Sequence, residues 1–159
     1  MAVVSGPRSA PAWTLALAAA LLLLPASAAM SAARPAADAT VAAVSTSGRA
    51  GAYTFDVTIR SNDTGMEHYA DWWEVVDASG HLIYRRVLLH DHADEQPFSR
   101  DGGPVNVKAD DVVTVRAHVY PDGYAAAAMR GSAAAGFKPV ELEAGYAADL
   151  EKQPPLPAH

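Results

Sequence analysis

Cysteine is absent from this chain of 159 residues. That excludes disulfides, thiolate metal sites, a cysteine nucleophile and a lipid-modified N-terminal cysteine. Charge is also sparse, at 19% of residues, and it is unbalanced: 12 Lys and Arg against 18 Asp and Glu give a formal net charge of −6. With no run of basic residues, nothing is available to neutralise a phosphate backbone, which weighs against nucleic acid as a partner. There is no Gly-X-Y period, and half the residues are apolar, too many for a disordered chain. The sequence therefore describes one globular domain with a core of about 100–120 residues.

One long hydrophobic run is present. Met1–Ala12 carry a single charge, Arg8, and Trp13–Leu24 follow with none before Pro25-Ala26-Ser27-Ala28. The run is shorter than the roughly 20 apolar residues that cross a bilayer, and it ends in a helix breaker and small residues, the pattern of a secretory signal cleaved after Ala28. The expected organisation is a signal peptide at 1–28, a linker at 29–40, a β domain at 41–143 and a flexible, proline-bearing tail at 144–159. The expected location is secreted or periplasmic, with no stable membrane insertion after cleavage. In such a compartment a cysteine-free core stands by packing alone.

Within the domain the hydrophobic period is two. Tyr53, Phe55, Val57 and Ile59 alternate with Thr54, Asp56, Thr58 and Arg60, and Val113, Val115, Ala117 and Val119 alternate with Thr114, Arg116, His118 and Tyr120. Each set puts its apolar side chains on one face of a half-buried strand. Trp72–Val76 and Leu82–Leu89 form a hairpin across Asp77-Ala78-Ser79-Gly80. Further candidates at Val41–Ser45, Val105–Lys108 and Phe137–Leu142 bring the total to about seven strands, with Asp101-Gly102-Gly103 among the turns. Tyr124–Arg130 reads either as a short helix or as a packed loop. The expected fold is all-β, a single antiparallel two-sheet sandwich, with a small cupin-like barrel as the alternative.

The succession of an alternating strand, a Trp-bearing strand, a turn ending in Gly and a later Val-Thr-Val-Arg-Ala strand resembles immunoglobulin or fibronectin type III modules of secreted bacterial proteins over roughly residues 40–142, without the paired cysteines of true immunoglobulin domains. Tyr69-Ala70-Asp71-Trp72-Trp73-Glu74 and Glu95-Gln96-Pro97-Phe98 also resemble segments of small uncharacterised bacterial secreted proteins, a likeness that implies no activity.

Two clusters could carry chemistry. In an extended segment His90 and His92 point the same way, and with Glu95, and His118 or His68 from another strand, they form a candidate shell for copper or zinc. The spacing His90-x-His92-x-x-Glu95 followed by Gly102 is similar to the first cupin motif with one residue fewer. The second motif has no counterpart, because Pro121-Asp122-Gly123 is followed by Tyr124 and alanines. The bland alternative is a solvated strand end. The other cluster is aromatic: adjacent Trp72 and Trp73 face opposite sides of a strand, so one indole is available outside the core. With Tyr84, Arg85 and Tyr120 it could form a platform for a protein, peptide or glycan ligand; its alternative is a tryptophan covering a sheet edge, with Arg85 paired to Asp71, Glu74 or Asp77. No Gly-x-Ser-x-Gly elbow and no phosphate-binding glycine loop is present. The functional expectation is a binding or accessory module rather than an enzyme, with a metal-binding protein as the alternative.

Overall fold

The computed structural model describes residues 1–3, 5, 6 and 35–157. The signal segment expected at 1–28 lies outside the described residues from residue 7 onward, as do 29–34 of the expected linker. Residues 37–40, the end of that linker, belong to a strand.

The described chain is all-β: β1 Ala37–Arg49, β2 Ala52–Ser61, β3 Tyr69–Asp77, β4 Leu82–Val87, β5 Phe98–Val105, β6 Val113–Tyr120, β7 Gly123–Ser132 and β8 Gly136–Glu141, followed by a short 3-10 helix, Ala148–Lys152. The two alternating segments form β2 and β6 as their period dictates. Phe55, Val57 and Ile59, and Val113, Val115, Ala117 and Val119, are buried.

The expectation of two separate antiparallel sheets is corrected. The strands form one mixed, hydrogen-bonded path, β4-β3-β6-β7-β1-β2-β5, with β8 on β7. The joint is β1. Ala37 and Thr40 run parallel to Ala125 and Ala127 of β7, while residues 39–49 run antiparallel to β2, with a register shift between Val41 and Ala43. A bulge of this kind turns a strand from one layer toward another. The path does not close into a hydrogen-bonded barrel, since β4 and β5 are its ends. The core lies where the path folds back on itself: Val41, Phe55, Val57, Ile59 and Phe98 from β1, β2 and β5 pack with Trp73, Val75, Tyr84, Val115 and Met129 from β3, β4, β6 and β7.

Two local expectations are also corrected. Asp101-Gly102-Gly103 is not a turn but the middle of β5. A Cβ on Gly102 would lie 2.7 Å from the Tyr84 hydroxyl and 2.9 Å from the Trp73 ring, so the glycine lets β5 close over those side chains. The alanine run 124–130 is a strand, bonded to β6 and β8, because edge-to-edge pairing overrides the helical preference of alanine.

Candidate functional site

The β3–β4 and β3–β6 registers decide what the outer face of this half of the sheet presents. Glu74 stands opposite Arg85 on β4 and Arg116 on β6, and Trp72 stands opposite His118. Trp73, one residue along, turns into the core and packs on Tyr84 at 5.5 Å between ring centres. The outer face thus carries one carboxylate between two guanidiniums. Arg85 Nε and Nη2 donate to Glu74 Oε2 at 2.8 and 2.7 Å, and Arg116 Nε and Nη2 donate to Oε1 at 2.9 and 2.8 Å. Glu74 is wholly buried and the arginines nearly so.

A face this polar is buried because the C-terminal segment covers it. Residues 144–157, from the tail expected to be flexible at 144–159, form with Glu143 a strap across β3, β4 and β6. Arg116 Nη1 and Nη2 donate to the carbonyls of Tyr146 (2.5 Å) and Ala147 (2.8 Å), and Arg85 Nη1 and Nη2 donate to those of Gln153 and Leu150, both at 2.6 Å. The backbone N–H of Arg85 donates to Leu156 O at 2.8 Å. Leu150 is 1% exposed and packs on Val76 and Leu82. One carboxylate leaves one positive charge of the pair unbalanced, and the four carbonyl dipoles meet it. Arg116 also lies 3.4 Å over the Tyr124 ring and Arg85 4.7 Å over Trp72. Burial, reinforced by the Glu74 charge, pushes the Tyr124 phenol well above its ordinary value, so it stays protonated.

Beside the clasp, His118 stacks on Trp72 at 3.6 Å and 10°. Its Nδ1 sits 2.6 Å from Asp71 Oδ1, and its Nε2 lies 3.5 Å from Glu151 Oε1 on the strap. His118 Nε2 and Trp72 Nε1 are buried without a hydrogen-bond partner.

A second cluster occupies one end of the sheet, where the β2–β3, β4–β5 and β6–β7 connections meet. Asp63 ties the first to the second: Oδ1 accepts from the Ser61 hydroxyl (2.6 Å) and the Ala70 N–H (2.9 Å), and Oδ2 accepts from the His92 N–H (2.8 Å). His68 ties the first to the third through Asp122, 2.8 Å from its Nε2, and that hydrogen bond raises the His68 pKa above the ordinary histidine value. Gln96 donates to His92 O and accepts from Ser61 N. Around these ties, Met66, Leu89 and Tyr120 are exposed.

The expected metal ligands fall differently from the sequence reading. Residues 88–97 are a loop, so the alternation that puts His90 and His92 on one side does not apply. His92 turns inward and stacks on Phe98 at 3.7 Å, and burial lowers its pKa. His90 is exposed, with its ring 4.7 Å from that of His92. Glu95 turns to Arg100 at 2.8 Å. His118 stands beside the clasp, on β6. Among the described residues no group of three or more His, Asp or Glu is arranged to hold a metal ion.

The aromatic platform is also redistributed. Trp72 and Arg85 meet beneath the strap, Tyr84 is buried on the core side, and Tyr120 is 47% exposed at the loop end, 6.4 Å from Tyr69. Sequence reasoning missed the strap and the anchoring role of Asp63. The signal for the strap was the pair Tyr146 and Leu150, spaced four apart. Asp63 gave none beyond its place in a turn.

Comparison with known proteins adds little. A protein of Halomicrobium mukohataei named "Putative lipoprotein" is 38% identical over 78 residues, covering 49% of this chain and 38% of the relative. The match thus spans less than half of that relative's length. No protein family model and no solved structure matches the chain. No described helix is long and apolar enough to cross a membrane.

Proposed function

We propose that the chain is an extracytoplasmic binding or accessory domain of immunoglobulin-like topology, and not an enzyme, that meets its partner through the loop end. The strand pairings support the topology. β2 with β5, and β3 with β6 and β7, reproduce the B–E and C–F–G neighbours of that superfold, with β1 bridging the two layers. The relative's printed name supports an extracytoplasmic location. Lipid attachment of the usual kind needs a cysteine, which this chain does not contain.

The observation that carries the reading is the cross-tying of three loops at one end by Asp63 and by His68–Asp122, beneath exposed Met66, Leu89 and Tyr120. Loops fixed this way present a surface whose shape is set before binding, which lowers the ordering cost of association. A photo-crosslinking residue at Leu89, in the cells that make the protein, is expected to give a discrete adduct. The same residue at Val112, exposed at the opposite end of the sheet, is expected to give none. Equal adducts at both positions, or none at Leu89, would remove the loop-end reading.

A second reading, a copper or zinc protein, is favoured by one observation. The His90 and His92 rings lie 4.7 Å apart, and neither nitrogen of His92 has a hydrogen-bond partner. Metal analysis of untagged protein, repeated after His90→Ala and His92→Ala, decides it: stoichiometric metal lost in both variants supports the reading, and background metal in the wild type ends it.

A further inference from the structure

The strap is held largely through its main chain. Four of its contacts are main-chain carbonyls on Arg85 and Arg116, a fifth is the Leu156 carbonyl on the backbone of β4, and one side chain, Leu150, is deeply buried. Recognition of this kind is how domains capture peptide segments, with main-chain bonds supplying affinity and one or two pockets supplying selectivity.

The fit is also incomplete. Trp72 Nε1 is buried without an acceptor beside His118, whose Nε2 lies 3.5 Å from Glu151 Oε1 on the strap. A buried donor without a partner is costly, and the Trp72 N–H marks an acceptor that the present occupant does not supply. The strap enters through Gly145 at φ +83° and Ala147 at φ +42°, ψ +41°. A left-handed alanine costs of order 1 kcal/mol, so the docked strap carries strain that undocking relieves. A tethered segment tolerates such defects because its effective concentration is high.

We propose that residues 143–157 are a cis-bound placeholder on a peptide-receiving face. The partner that displaces them is a protein segment with the same carbonyl presentation, a branched apolar side chain in the Leu150 pocket, and an acceptor oxygen that reaches the Trp72 N–H. The face lies on β3, β4 and β6 outside the core.

The test uses the full chain and a fluorescent synthetic peptide of residues 143–157 added in trans. Wild-type protein, with its strap in place, is expected to bind it weakly, and Leu150→Ala, whose tethered competitor is weakened, about tenfold more tightly or better. Absence of binding to a folded Leu150→Ala variant, or equal binding to both proteins, overturns the proposal. If Leu150→Ala does not fold, hydrogen exchange on the wild type decides. Amides of 146–153 are expected to open far more often than those of β3 and β6; exchange of both only through global unfolding overturns it.

Discussion

Arg116 grips Glu74 from the neighbouring strand, Nε and Nη2 at 2.9 and 2.8 Å from the same carboxylate oxygen, while Arg85 takes the other oxygen from the opposite side. The carboxylate has no exposed surface. Glu74→Ala leaves two buried guanidiniums without their counter-charge and is expected to cost about 3–5 kcal/mol in a denaturant titration. Glu95→Ala breaks the exposed pair with Arg100 and is expected to leave stability close to wild type. Equal, small effects of both would mean that the clasp is not buried.

The loop end makes stability depend on pH in a defined window. Burial depresses the His92 pKa below its ordinary 6.5, so between those values the unfolded chain binds the extra proton. Stability should therefore fall as pH drops from 6.5 toward the depressed value, and level off below it. His68 has the opposite sign. Its pKa is raised by Asp122, so its contribution is complete below 6.5 and is lost as pH rises through the raised value. Asp77 and Glu95, with pKa values lowered by their hydrogen bonds, act only below the ordinary carboxylate range. His92→Phe keeps a ring against Phe98 and should flatten the decline below pH 6.5, read by thermal melts across pH. An unchanged slope would show that His92 is not the titrating group.

A strap docked as described can be stapled. A Cβ built on Gly80 lies 3.9 Å from the Ala147 Cβ, inside the range of natural disulfides, and the chain has no other cysteine to interfere. Gly80→Cys/Ala147→Cys should oxidise to a single intramolecular bridge. Gly80 sits at φ +84°, where a side chain is strained, so the informative comparison is the oxidised against the reduced form of the same variant. Oxidation is expected to stabilise by about 2–4 kcal/mol, since the bridge closes a loop of roughly 70 residues. Failure to form the bridge would place Ala147 elsewhere.

Gly102 is where β5 closes over the core. Gly102→Ala drives a methyl into the Tyr84 hydroxyl and the Trp73 ring, and overpacking of this kind is expected to cost about 1–3 kcal/mol in thermal or chemical unfolding. A neutral effect would mean that the strand stands further from the two rings.

How far the sequence led depended on what kind of contact held each part. The alternation in β2 and β6 reveals which side chains turn inward, because a strand has no other way to bury four apolar residues. The same alternation marks Thr114, Arg116 and His118 as the outer side but does not say what covers them. Over Arg116 the cover is made by the carbonyls of Tyr146 and Ala147, and the main chain leaves no compositional trace. The continuity of the sheet through β1 was hidden for a similar reason, since Ala37 and Ala39 pack by smallness and pairing. His90 and His92 were read with the geometry of a strand, whereas the segment leaves β4 after Val87 and turns His92 onto Phe98.

The account rests on the clasp holding the strap, and the arginine side chains report that directly. In an NMR spectrum at pH 8, where exposed guanidinium hydrogens exchange too fast to see, the Nε–H groups of Arg85 and Arg116 should persist and show contacts to Leu150 and Tyr146. Loss of both signals, or protected signals with no contact to residues 146–153, would contradict it.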